Sequence, residues 1–316
     1  MQTEFGQTDR GETVHKIALT HGGLSVDILT FGAILRSVRL AGVAHDLTIG
    51  QGSVTDYQGV MRYHGALVAP VANRISGAKA VFAGKTHRFE ANQDDRITLH
   101  SGDAGTHRKV WQIADIRPAK VTLALTLPDG EGGFPGHRHV TATYSLHDDA
   151  NLRLDIQATT DAPTLFNAVN HSYWNLDGTP NWSGHRLRIA ADRYLPCTPD
   201  VTPTGDIAPT KGTPYDFTAA RHFTPQNPPL DTCFCLSDQR GPLRDVLWLT
   251  GQSGITMTVA TTEPGIQVYD DRATYRGLAI EPQAWPDAPN QPAFPSILLT
   301  PDAPYHQTSE WRFTTP

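Results

Sequence analysis

Strict alternation of apolar and polar side chains recurs along this chain and sets what it can fold into. Leu24-Ser-Val26-Asp-Ile28 alternates, and so does Val121-Thr-Leu123-Ala-Leu125-Thr-Leu127. Val140-Thr-Ala142-Thr-Tyr144-Ser-Leu146 and Leu152-Arg-Leu154-Asp-Ile156-Gln-Ala158 follow, and later Leu187-Arg-Ile189 and Ile255-Thr-Met257-Thr-Val259. A period of two places one face of a strand on a core and the other against water or a second layer. The three runs between Val121 and Ala158 are separated by residues 128–137 and by the short stretch His147-Asp-Asp-Ala-Asn151, which predicts an antiparallel meander. No segment carries a sustained 3.6-residue apolar stripe with caps, and only a short helix over residues 56–63 is expected.

Composition agrees. The 316 residues include 27 Gly and 24 Pro, and only 18% are charged, so long helices cannot dominate. With 39% hydrophobic residues the chain can bury a large core. No internal repeat or domain boundary interrupts it, which predicts an all-β, large twisted antiparallel β-sandwich as one domain over residues 1–316. The proline-punctuated stretches 196–229 and 282–304 keep aromatic and apolar residues throughout, and are expected to be ordered loops laid over a sheet.

The charge balance, 26 basic against 32 acidic residues with no basic block, argues against nucleic acid. The apolar run at residues 65–72 is far shorter than the roughly 20 residues a membrane span needs. The N-terminus has neither a basic start nor an apolar stretch, and an odd count of three cysteines fits a reducing compartment. A cytoplasmic protein is the expectation. Cys233-Phe-Cys235 has no second thiol pair nearby and reads as two small side chains on one strand face. His137-Arg-His139 lacks a partner at metal-ligand spacing. No Gly-x-Ser-x-Gly, Gly-x-Gly-x-x-Gly or Walker-type loop occurs. Neither a metal nor a nucleotide cofactor is expected.

The side chains suited to chemistry fall in turns and at strand ends. Asn73-Arg74-Ile75 follows the apolar run, and Arg74 is either a solvated strand end or a fork for hydroxyls. His100 sits in Leu99-His100-Ser101-Gly102. His171 sits in Asn170-His171-Ser172-Tyr173-Trp174-Asn175, among hydrogen-bonding groups and flat apolar faces that suit sugars; taken alone, such a residue is more often a core histidine satisfied by its neighbours. Glu281 closes the apolar run Leu278-Ala-Ile280, where a carboxylate must be paired or placed for proton transfer. Asp231 and Gln267 are weaker signals.

In this order the motifs resemble those of the aldose 1-epimerase (galactose mutarotase) family, over nearly the whole chain. Ala72-Asn73-Arg74-Ile75-Ser76-Gly77 is similar to its Ala-Asn-Arg-Ile-x-Gly, and Leu99-His100-Ser101-Gly102 to its Leu-His-Gly-Gly. Asn170-His171-Ser172-Tyr173-Trp174-Asn175-Leu176 is similar to Asn-His-Ser-Tyr-Phe-Asn-Leu. Gly265-Ile-Gln267-Val-Tyr269 and Trp285-Pro-Asp-Ala-Pro-Asn-Gln-Pro-Ala-Phe-Pro-Ser296 have counterparts as well. The chain departs at Ala69-Pro70, where members often carry Gly-Arg, and at Ser101; both changes bear on the preferred sugar.

The resemblance implies the galactose mutarotase-like supersandwich and a cofactor-independent isomerase. It implies that His171 protonates the ring oxygen of an aldose while Glu281 takes the proton of the C1 hydroxyl. Asn73, Arg74, His100, Tyr173, Asp231 and Gln267 would bind the sugar. The expected partner is therefore a small free aldose, with no nucleic acid and no membrane, bound by a monomer or homodimer. Three alternatives stand beside this; one, a glycosidase or lyase in a related sandwich, usually needs two carboxylates, and only Glu281 is well placed. A hexose-6-phosphate 1-epimerase would need further cations, for which Arg36, Arg62 and Arg272 are available. A non-catalytic sugar-binding protein would not need both His171 and Glu281.

Overall fold

In the computed structural model, which describes residues 1–274 and 276–316, the alternating runs become strands and every strand pair is antiparallel. The central sheet has nine strands. Its order is Gln112–Arg117, Lys120–Leu127, Arg138–His147, Asn151–Thr160, Tyr305–Thr314, Thr256–Thr261, Arg244–Thr250, Arg186–Ile189 and Arg221–His222. The expected meander forms its first half, with Leu123 opposite Ala142 and Ala142 opposite Ile156. Chain neighbours pair there, whereas the C-terminal strand Tyr305–Thr314 closes the middle between Asn151–Thr160 and Thr256–Thr261.

The inner face of this sheet, with Val121, Leu123, Val140, Ala142, Tyr144, Leu154, Ile156, Met257, Val259 and Trp311, is buried in one continuous apolar cluster. Burying each such side chain is worth about 1.5–3 kcal/mol, so this layer carries much of the stability. A four-stranded N-terminal sheet, Gln2–Gln7, Thr13–His21, Leu24–Leu29 and Leu35–Leu40, joins the same cluster through Ile17, Leu19, Val26, Ile28 and Val38.

A six-stranded sheet supplies the other layer. Its order is Tyr173–Trp174, Leu278–Gln283, Gly265–Tyr269, Asp231–Cys235, Arg193–Tyr194 and Ala208–Pro209. Register fixes its two faces. Trp174, Leu278, Ile280, Ile266, Val268 and Phe234 pack into the large core. The alternate positions Tyr173, Ala279, Glu281, Gln267, Tyr269, Asp231 and Cys233 share the opposite face. One end of that face is covered by a second apolar cluster containing Cys233, Cys235, Ile75, Phe89, Phe134, Trp285 and Phe294, and the other end opens to a cleft. The two thiols of Cys-x-Cys are thus packing groups.

The short helix lies earlier than expected, at Val54–Gln58 and not over 56–63. Ser53 caps it reciprocally with Asp56, and Gly59 ends it, so Tyr63 falls outside. The two proline-rich stretches are ordered and carry short pairings, Arg193–Tyr194 with Ala208–Pro209 and Thr164–Leu165 with Leu298–Leu299. No helix among the described residues is long and apolar enough to cross a membrane.

Candidate active site

Three neighbouring strands of the six-stranded sheet build the floor. Glu281 lies directly across from Gln267, and Asp231 across from Tyr269, so alternation alone brings these four side chains to one face. Gln267 donates to Asp231 Oδ1 at 2.5 Å.

The wall comes from the opposite direction. The short strand Arg74–Ser76 pairs with Ile97–Leu99, setting Arg74 opposite Leu99, and the His100 N–H continues the ladder to the Asn73 carbonyl at 2.9 Å. Arg74 reaches Gln93 Oε1 at 3.1 Å and Asp231 Oδ2 at 3.4 Å, tying wall to floor. This places the guanidinium in the cleft and removes the solvated strand-end reading. Asn73, His100 and Ser101 take left-handed backbone conformations, φ 62°, 51° and 62°, which are costly for residues with a Cβ and gather beside the cleft. His100 Nδ1 accepts from the Asn73 N–H at 3.1 Å, so the neutral ring carries its proton on Nε2. Burial, first, and neighbouring His171 and His107 hold His100 well below the usual imidazole range.

His171 stands where wall meets floor. Its N–H binds the Ala66 carbonyl and its carbonyl accepts from the Gly65 N–H, both at 2.9 Å, which pins the residue from either side. Its Nε2 lies 3.5 Å from Glu281 Oε1, with both side chains almost wholly buried, 6% and 2% exposed. Burial pushes His171 down to about 3 and Glu281 well above the usual carboxyl range; Asp231 pushes Glu281 further and Arg74 opposes it. Both groups are driven toward their neutral forms. His171 Nδ1, Glu281 Oε2 and Gln267 Oε1 are buried without a hydrogen-bond partner in the protein.

The resulting cleft of about 230 Å³ is lined by Tyr63, Asn73, Arg74, Leu99, His100, His171, Tyr173, Asp231, Tyr269 and Glu281. Aromatic faces with a few convergent polar groups are the lining of a small-molecule site. Of the eight residues singled out in the sequence, seven line it. Gln267 stands behind Asp231, in a smaller hollow with Cys197, Cys233 and Pro286. Tyr63, Leu99 and Tyr269 were not singled out. Tyr269 was legible, since it lies two residues from Gln267 and so on the same strand face. Tyr63 gave no local signal, because only the pairing of Gly65 with His171 brings it in.

Among the described residues, Arg74 is the single cation lining the cleft. Arg36 pairs with Asp27 and lies against Phe5. Arg62 lines a separate cleft with Arg10, Arg108 and Lys109. Arg272 reaches Asp270 and the Pro225 and Asn227 carbonyls. None of these three cations, which a phosphate reading would need, lines the site, though Arg62 lies against the ring of Tyr63, which does. No cluster of three or more His, Cys, Asp or Glu that could hold a metal ion occurs among the described residues.

The family model for aldose 1-epimerase matches residues 15–312. Mouse galactose mutarotase is 33% identical, covering 99% of this chain and 98% of its own. Aldose 1-epimerase of Escherichia coli K12 is 30% identical, covering 93% of each. A crystal structure of an aldose epimerase homologue from C. elegans superposes with a TM-score of 0.89 at 26% identity, covering 95% of this chain and 98% of that one.

Proposed function

The chain belongs to the aldose 1-epimerase family, and from that premise we propose that it interconverts the α and β anomers of a free aldose with His171 as acid and Glu281 as base. The observation that carries these roles is the 3.5 Å approach of His171 Nε2 to Glu281 Oε1 in a buried cleft lined with polar groups.

Ring opening requires a proton on the ring oxygen and removal of one from the C1 hydroxyl. With sugar bound between them, the Glu281 carboxylate takes the hydroxyl proton and the His171 imidazolium donates to the ring oxygen. The C1–O bond of the ring breaks, its electron pair stays on the ring oxygen, and C1 becomes a carbonyl. Rotation about C1–C2 presents the other carbonyl face, and the same steps reverse. The pair thus changes from imidazolium and carboxylate to imidazole and carboxylic acid as the ring opens. Burial favours the second arrangement, so desolvation pulls in the direction of opening. Arg74, His100 Nε2–H, Asn73, Tyr173 and Asp231 hold hydroxyls, with Gln267 orienting Asp231. A free sugar fits a cleft with one lining cation better than a sugar phosphate does.

The test is anomer exchange, followed by polarimetry or NMR on a panel of freshly dissolved aldoses. Glu281→Gln and His171→Asn should each lower kcat roughly 10²-fold or more while changing sugar affinity less. The double variant should lose less than the product, because both groups act on one coupled step. Near wild-type exchange by either folded single variant would remove the assigned roles.

A further inference from the structure

Two phenol rings approach the His171 imidazole. Tyr173 lies 5.1 Å away at an interplanar angle of 30°, but it is itself stacked on His64 at 4.2 Å and 19°. Tyr63 lies 5.6 Å from His171 at 21°, close to parallel. The same Tyr63 ring touches His100 at 4.6 Å and His107 at 5.1 Å, so three imidazoles from two chain segments gather around it. His171 also faces His100 edge-on at 5.4 Å and Glu281 at 3.5 Å, with His64 close enough to act on its charge. Arg74 and Asp231 line the same cleft, and the Arg62 guanidinium lies over the Tyr63 ring at 5.7 Å from its centroid. An ionised Glu281 3.5 Å away favours a positive charge on His171, but burial, first, and the neighbouring His64 oppose it. A parallel aromatic face within 6 Å acts the other way, because the ring quadrupole attracts a cation.

We infer that Tyr63 is a positioning residue for His171, holding the imidazole parallel to its ring and stabilising its charged form during proton transfer. The inference rests on the proton-donor role given to His171 above. Tyr63 makes no bond to the reacting atoms in this role; the face of its ring is what matters, and its hydroxyl is not required.

The experiment compares wild type, Tyr63→Phe, Tyr63→Leu and His171→Asn by kcat for anomer exchange as a function of pH. Loss of the ring in Tyr63→Leu removes the favourable face while keeping an apolar neighbour. The alkaline limb, where the donor loses its proton, should then move to lower pH by about half to one and a half units, with kcat at neutral pH falling roughly 3- to 30-fold. Tyr63→Phe keeps the face and should leave the alkaline limb at its wild-type position. Should Tyr63→Leu not fold, Tyr63→Met is read in its place. An unmoved limb in whichever folded non-aromatic variant overturns the inference, as does a limb that moves equally in Tyr63→Phe. His171→Asn separates the two levels. If it retains exchange, the donor assignment itself fails; if it loses exchange while the Tyr63 variants keep the wild-type limb, only the role of Tyr63 is lost.

Discussion

A buried imidazole and a buried carboxyl 3.5 Å apart can hold one proton between them with neither group charged, and in the proposed cycle that proton moves through a sugar. Other histidines nearby pay the same desolvation penalty with no catalytic return. His107 is 3% exposed and pushed down to about 3 by burial and by the adjacent Arg108. Its value unfolded is about 6.5. Between those limits the unfolded state binds a proton that the folded state does not, so stability is full above about pH 6.5 and falls as the pH drops toward 3. His107→Asn should therefore flatten the acid-side decline by about 1.4 kcal/mol per pH unit near pH 5. Urea unfolding at several pH values between 7 and 4.5 measures it. Equal slopes for variant and wild type would show that His107 is protonated in the fold. Glu281 contributes with the opposite sign, since its raised value favours the protonated folded form on acidification, but it is common to both proteins and cancels in the difference.

The elements are held together at the site by side chains that never touch the cleft. Asp287, 2% exposed, accepts from the Ser76 N–H at 3.0 Å, the Ser76 hydroxyl at 2.6 Å and Asn290 at 2.8 Å. Its own N–H binds the Arg74 carbonyl at 3.1 Å. This clasp fastens the short strand Arg74–Ser76 to the loop that follows Leu278–Gln283, and so fixes the wall carrying Arg74 against the strand carrying Glu281. Asp287→Ala should cost roughly 1.5–3 kcal/mol for lost charge-assisted hydrogen bonds. Because Arg74 then drifts, KM should rise more than kcat falls. Thermal unfolding and exchange kinetics on one preparation test both parts; an unchanged KM would mean the strand pairing to Ile97–Leu99 is enough to place Arg74.

On the scale of the molecule, one apolar cluster binds the nine-stranded sheet, the N-terminal sheet and the inner face of the six-stranded sheet. Trp174 and Trp311 meet there at 6.0 Å between ring centroids, and both are fully buried. Trp174 belongs to the strand that carries Tyr173 on its other face, whereas Trp311 lies in the C-terminal strand of the far sheet. Trp311→Ala should destabilise by about 3–5 kcal/mol through the cavity it leaves. The kcat of the folded fraction should stay near wild type, since the six-stranded sheet separates that cavity from the cleft. Chemical unfolding and exchange below the unfolding transition check this; a matched collapse of kcat would show that the core transmits strain to His171.

The sequence by itself determined the strands and their faces. Period two is a local property, enforced by the pleat, so Val121–Ala158 was readable as a meander and Glu281 as a carboxyl closing the apolar run of a buried strand, which the structure carries on to Gln283. Motif order pointed to the family, and with it to the residues around the cleft. The sequence misplaced the helix by a few residues, because the Ser53 cap and Gly59 stop outweigh apolar spacing in so short an element. Tertiary structure alone decided what stands beside what. Tyr63 enters the site through the pairing of Gly65 with His171, more than a hundred residues apart. Gln267 turns to Asp231 and not to the open cleft because the two side chains share one sheet face. The shift of His171 and Glu281 toward neutrality has the same origin. Desolvation depends on which layers close over a group, and that is settled only when sheets packed from distant parts of the chain exclude the water.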